Sequence, residues 1–258
     1  MIEIVDIYKK FDQNVVLDGV SMTIPDGETF CIIGKSGTGK SVLLKHIVGL
    51  LAPDKGYIKV DNQRVDELTQ KQIFLIRTSM GYVFQGAALF DSLTVFENVV
   101  LGLYELGERN PGVLEKEAIR VLAAVNLLPE KQNEEDEYFR REWEILSNKK
   151  PADLSGGMRK RVGVARALVG SPKYIFYDEP TTGLDPVTSE QIDILVADIV
   201  KKMSVTSVVI THDMFSVFKI AQKVAMLSDG KLCFYGTPDE MKASDFPAVV
   251  EFLDRYAN

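Results

Sequence analysis

Apolar and polar positions along the chain change period several times, and those changes mark its elements. Up to about residue 33, strand-like segments alternate with turn signals, among them Pro25-Asp26-Gly27 ahead of the apolar run Phe30-Cys31-Ile32-Ile33. Residues 42–51 then read as a helix. The breaker Ala52-Pro53-Asp54-Lys55-Gly56 closes it, residues 57–60 read as a short strand, and a further strand ends at Phe84. From about residue 87 to 170 the pattern is mostly helical; Leu114, Ala118 and Val121/Leu122 fall three and four apart. Continuous apolar runs return at residues 174–177, 207–211 and 224–227, each expected as a strand. Ser228-Asp229-Gly230-Lys231 signals a hairpin into residues 232–235. A final helix opens at Thr237-Pro238-Asp239-Glu240, with Thr as N-cap, Pro first and Glu three residues after Thr. Strands alternating with helices predict an α/β fold, and no repeat or low-complexity tract interrupts them.

Four of these strand ends run into polar residues of one chemical kind. Ile33 leads into Gly34-Lys35-Ser36-Gly37-Thr38-Gly39-Lys40-Ser41, Phe84 into Gln85, Tyr177 into Asp178 and Glu179, and Thr211 into His212. Ligands of parallel α/β sheets sit beyond the carboxyl ends of the strands, so the four ends are expected to converge. The glycine-rich loop, lying between strand and helix, is a phosphate cradle: its backbone N–H groups and the helix start face an anion. Lys40 adds a positive charge for the same phosphates, and Ser41 the hydroxyl expected on Mg²⁺. Asp178, after four apolar residues, is placed to hold Mg²⁺ directly or through water, and Glu179 to polarise the water that attacks the γ-phosphate. His212 is expected to reach that γ-phosphate. The other histidine, His46, reads as packed on its helix.

A second anion-binding helix start lies at Leu154-Ser155-Gly156-Gly157-Met158, which opens a basic helix with Val162, Ala165, Leu168 and Val169 on its apolar face. One nucleotide needs one cradle. A second makes sense if it closes over a nucleotide held by another copy of the chain.

Taken together and in order, these motifs resemble the ATP-binding cassette (ABC) ATPases over essentially the whole chain. The resemblance implies a P-loop NTPase with a mainly parallel sheet core, an antiparallel β subdomain and a helical subdomain. It implies a single nucleotide-binding domain over residues 1–258: a catalytic core at about 1–86 and 170–236, a helical subdomain at about 87–169 and a helical tail at 237–258. Gln85 would be the Q-loop residue, serving metal and catalysis; Ser155, Gly156 and Gly157 the signature; Gly183-Leu184-Asp185-Pro186 the D-loop, with Asp185 at the nucleotide. Val42 would complete the phosphate loop. Phe11 stands where an aromatic stacks on adenine, with Tyr8 a weaker candidate. Met158 departs from the usual Gln, but it follows the phosphate-contacting glycines, so hydrolysis is expected to survive. The cofactors implied are ATP and Mg²⁺, sandwiched in a head-to-tail dimer.

Composition sets outer limits. With 258 residues, 46% hydrophobic, 26% charged and a formal net charge of −7, the chain offers no broad surface for nucleic acid. No apolar stretch reaches the ~18 residues that span a bilayer. The N-terminus goes straight into strand-like residues, leaving no room for a signal peptide, and Cys31 and Cys233 read as reduced thiols of a cytosolic protein. In a transporter such a chain must dock on separate permease subunits. In this family the coupling helix is received after Gln85, so the residues from Ala87 to Phe90 are either its apolar groove or core of the helical subdomain. The wording QGAALFDSLTVFENV, with LSGGM and DEPTTGLDPVTS, is similar to the ATPases of MCE-associated phospholipid transporters. That likeness implies an MCE-domain protein in the complex, the cytoplasmic face of the inner membrane, and a role in outer-membrane lipid asymmetry. An importer ATPase for a polar solute, a non-transport ABC scaffold and a nucleotide switch are the rival readings, the last opposed by Glu179. Residues 130–150, with Glu134, Glu135, Asp136 and Glu137 beside Tyr138, Phe139 and Trp143, read as a solvated surface helix or a partner-binding insertion.

Overall fold

The computed structural model describes residues 1–129 and 136–254. Strands β1 (Ile2–Phe11) and β2 (Asn14–Ile24) form an antiparallel hairpin, followed by β3 (Thr29–Ile33), α1 (Lys40–Ile47), β4 (Lys55–Val60), β5 (Gln63–Arg64), α2 (Gln70–Thr78) and β6 (Met80–Val83). Four helices come next: α3 (Val95–Glu105), α4 (Pro111–Ala124), α5 (Glu137–Asn148) and α6 (Gly156–Leu168). The chain then alternates β7 (Tyr174–Asp178), α7 (Pro186–Met203), β8 (Thr206–Ile210), α8 (Met214–Ile220) and β9 (Lys223–Ser228), and finishes with β10 (Lys231–Gly236), α9 (Pro238–Lys242) and α10 (Pro247–Asp254).

Two sheets result. The antiparallel one has the order β2-β1-β4-β5; the other is β10-β9-β3-β8-β7-β6, parallel from β9 to β6 with β10 returning as a hairpin edge. This is the α/β class expected from the sequence. The apolar runs are continuous because the parallel strands are buried on both faces. Successive side chains point to opposite sides, so each strand feeds two cores. Phe30, Ile32, Tyr174, Phe176, Val208 and Ile210 join a core with Ile2, Leu17, Ile58, Leu43 and Leu44 under the antiparallel sheet and α1. Cys31, Ile33, Ile175, Tyr177 and Val209 join one with Val99, Val121, Val162, Ile192 and Val217 from α3, α4, α6, α7 and α8.

Two local expectations shift, and one helix was not foreseen. Helix α1 stops at Ile47, not residue 51, because Gly49 turns left-handed at φ 69°. The predicted last helix is two: Thr237 and Glu240 form the capping box of α9, and a separate α10 begins at Pro247. Helix α2 carries its own capping box at Thr69 and Gln72 yet buries no residue, so its apolar pattern was too weak to read. Of the acidic stretch, Glu134 and Glu135 lie outside the described residues. Asp136 caps α5 at Phe139 N, Phe139 is buried, and the Trp143 indole donates to Glu115 at 2.9 Å. Phe139 and Trp143 anchor a surface helix, while Tyr138 is exposed.

Candidate functional site

The loop after β3 is shaped by close approaches that only glycine permits. Gly34 has φ 146°, and a Cβ there would lie 2.3 Å from the Leu227 carbonyl oxygen; at Gly39, φ 95°, it would lie 2.7 Å from that of Val16. Lys40, only 7% exposed, folds its ammonium back to donate to the carbonyls of Gly34 at 2.7 Å and Lys35 at 2.9 Å. Burial lowers its pKa, opposed by the nearby charges of Glu179 and Asp178.

A cavity of about 760 Å³ opens over this loop. Its lining brings together Phe11, Lys35, Ser36, Gly37, Gly39, Lys40, Ser41, Val42, Gln85, Asp178, Glu179 and His212, with Val16 and Phe252. The ends of β3, β7 and β8 and the segment after β6 therefore meet at one place. Gly34 is turned against Leu227, and Thr38 donates its hydroxyl back to the Lys35 carbonyl at 2.9 Å; neither lines the cavity.

Within the cavity, Ser41 Oγ lies 3.4 Å from Asp178 Oδ1, and Tyr82 donates its hydroxyl to Asp178 Oδ2 at 3.2 Å. Burial, with the charge of Asp178, pushes the Tyr82 pKa up and keeps it a donor. Glu179 holds a left-handed backbone at φ 51°, a strained state for a residue before proline. Its N–H donates to the Ile210 carbonyl at 2.9 Å, and its Oε2 accepts from Thr182 Oγ1 at 3.2 Å and meets His212 Nδ1 at 2.7 Å. A carboxylate only accepts, so the proton of that contact sits on Nδ1. No group of three or more His, Cys, Asp or Glu side chains able to hold a metal occurs among the described residues. The Ser41 hydroxyl and the Asp178 carboxylate, 3.4 Å apart, could hold a Mg²⁺ that also takes substrate phosphates and keeps its waters.

Ser155, Gly156, Gly157 and Asp185 are elsewhere. They line a second cavity of about 520 Å³ with Asn126, Arg161 and Thr188, which shares no residue with the first. Ser155 caps α6, its Oγ accepting from Met158 N at 3.2 Å; Asp185 caps α7 through Thr188 N at 3.0 Å, and that hydrogen bonding lowers its pKa.

The expected docking groove needs one correction. Ala87 is 1% exposed and packs on Gly163 of α6, so it belongs to the core; only Ala88 and Phe90 of that stretch are exposed, beside Phe84. Ala87 and Ala88 both have positive φ, held by Arg166, which donates to their carbonyls at 2.7 and 2.8 Å, while Lys160 donates to the Gln85 carbonyl. Sequence reading missed Tyr82 and Phe252. Tyr82 is three residues before Gln85 on the strand beside Asp178, a placement legible only once β6 and β7 are paired. Phe252 reaches the cavity from the far end of the chain, and no local signal marks it.

The family model described as ABC transporter matches residues 17–182. The probable ribonucleotide transport ATP-binding protein Mkl of Mycobacterium tuberculosis is 34% identical over 98% of this chain, which spans 66% of that protein's length. The intermembrane phospholipid transport system ATP-binding protein MlaF of Escherichia coli K12 is 32% identical over 94% of this chain and 84% of its own. Among solved structures, the ATP-binding cassette MJ0796, dimeric and bound to ADP and Pi, superposes with a TM-score of 0.77 at 31% identity, covering 92% of this chain and 99% of that one. With the phosphate loop, the paired acids and the histidine in one cavity, these likenesses leave one assignment: the chain belongs to the ABC transporter family, as a cassette that binds ATP with Mg²⁺ and hydrolyses it.

Proposed function

We propose that this cassette is the ATPase subunit of a phospholipid transporter, acting as a head-to-tail dimer on the cytoplasmic face of a bacterial inner membrane. The observation that carries the dimer is the separation of the two cavities: Lys40 and Ser155 of one chain line different pockets. Ser155, Gly156 and Gly157 of a second copy would close over the triphosphate seated on the first. The cargo rests on the likeness to MlaF. No helix among the described residues is long and apolar enough to cross a membrane, so the path for lipid would belong to permease subunits, with an MCE-domain protein beside them.

In this reading the loop backbone at residues 35–37 and 39–41, with the start of α1, cradles the phosphates, and Lys40 leaves its two carbonyls to meet them. Phe11, 44% exposed at the cavity rim, stacks on adenine. Ser41 and Asp178 would hold Mg²⁺, with Gln85 lining the same cavity and Tyr82 fixing the Asp178 carboxylate. A Mg²⁺ held there would supply positive charge against that of the phosphates. Glu179 takes a proton from the water whose oxygen attacks the γ-phosphorus, as the bond to the β-phosphate oxygen breaks and ADP and phosphate leave. His212 holds Glu179 in line through Nδ1. Closure on ATP and opening after hydrolysis give two states whose difference drives the permease.

Purification of the native complex tests the cargo. A permease, an MCE-domain protein and bound phospholipid should co-purify, and reconstituted vesicles should move lipid only with ATP. The name of Mkl favours a second reading, a transporter for a polar solute; a solute-binding protein in place of the MCE protein would select it. Nucleotide-dependent dimers without permease or lipid movement would point to a non-transport ABC protein.

A further inference from the structure

We propose that helix α10 is a working part of the nucleotide site: Glu251 opposes the incoming nucleotide electrostatically, and Phe252 forms part of the cavity wall. The proposal rests on the reading of this cavity as the ATP site, and it concerns residues outside the stretch matched by the family model.

Helix α10 packs against β10, and its Val249 and Phe252, three apart on one face, are buried in the larger of the two apolar cores. That burial fixes the helix beside the phosphate loop. Phe252 is 2% exposed, yet it lines the same cavity as Phe11, Lys40 and His212. One position earlier, the Glu251 carboxylate meets the Lys35 ammonium at 2.8 Å. Lys35 is the second residue of the glycine-rich loop and lines the cavity itself. A negative charge therefore already occupies a cation of the loop that receives a polyanion.

The two side chains are 45% and 57% exposed, so their pairing is weak and screened by salt. A triphosphate can open it. Two effects favour nucleotide once it is open: Lys35 becomes available to the phosphates, and the carboxylate can swing away. In the resting chain both work the other way. Phe252 does not swing, because its ring is held by the core, so α10 stays at the cavity while its acid yields. The result is a threshold on nucleotide binding built into the C-terminal helix, set by one charge.

The test uses the full chain with Glu251→Gln, which keeps shape and removes charge, and Glu251→Lys, which reverses it. Mg²⁺-ADP and a non-hydrolysable ATP analogue are titrated calorimetrically at low and at high salt. The dissociation constant should fall about two- to fourfold in Glu251→Gln and further in Glu251→Lys, with the differences fading at high salt. Unchanged or weaker binding in both variants, with wild-type melting curves, overturns the role of α10 and leaves the ATP site standing. A wild-type chain that binds neither ligand removes the ATP-site reading and this proposal with it.

Discussion

Asp193 shows how one buried side chain can set the pH response of the molecule. It lies on α7 with 4% exposure; its Oδ2 accepts from Ser216 at 2.8 Å, while Oδ1 has no hydrogen-bond partner among the described residues. Burial, reinforced by the charges of Asp213 and Glu190 and opposed by Ser216 and Lys219, raises its pKa to about 6. A carboxyl raised in the folded state binds a proton that the unfolded chain gives up near pH 4. Its ionisation thus removes stability as pH rises from about 4 to about 6, and the loss is complete above that. Asp193→Asn should therefore melt higher than wild type at pH 7.5, by about 2 kcal/mol, with the gap closing at pH 4. Thermal unfolding at the two pH values checks it. Most of the polar residues that line the cavity were legible at this scale, because Lys40, Ser41, Asp178, Glu179 and His212 each lie beyond an apolar strand run. Tyr82 was not, since an aromatic inside a strand gives no hint that its hydroxyl will find Asp178 across the pairing of β6 with β7.

Among elements, α6 does more than start with the signature glycines. Its Arg166 and Lys160 reach across to the carbonyls of Ala87, Ala88 and Gln85, where two successive alanines take left-handed backbones. Such conformations persist when their surroundings hold them. Arg166 meets the two carbonyls with two separate nitrogens of a rigid planar fork, whereas a lysine offers one compact ammonium on a flexible stem. Arg166→Lys is expected to slow ATP turnover about fivefold through a loosened Gln85 segment, while nucleotide affinity stays within about twofold. Steady-state hydrolysis alongside nucleotide titration separates the two. Strands and the capping box at Thr237 could be read from periodicity and cap residues. Helix α2 could not, because its apolar residues Ile73, Phe74, Leu75 and Ile76 are consecutive rather than three and four apart. The break between α9 and α10 was visible in hindsight only through Pro247, which disfavours a helical residue before it.

At the scale of the whole molecule, the cavity at the phosphate loop and the cavity at Ser155 share no lining residue, as two half-sites of the proposed dimer would. Mixing two inactive variants exploits this. A chain with Lys40→Ala and one with Ser155→Arg should each be dead alone, but a mixed pair restores one site from two intact halves. Random pairing predicts recovery of about a quarter of wild-type ATPase activity. No recovery would mean that Ser155 serves its own chain. The second cradle was evident in the sequence, but its distance from the first was not, because it depends on how four helices pack on one face of the sheet. That same sheet imposes a further demand. Since β3, β7, β8 and β9 divide their side chains between two cores, alternate residues have fixed destinations. Deleting a single residue from β3, β7 or β8 would exchange the two sets and point the following loop away from the cavity, whereas a conservative exchange such as Val208→Ile leaves the parity intact. Evolution can vary the chemistry of these strands within apolar limits; it cannot change their length by one.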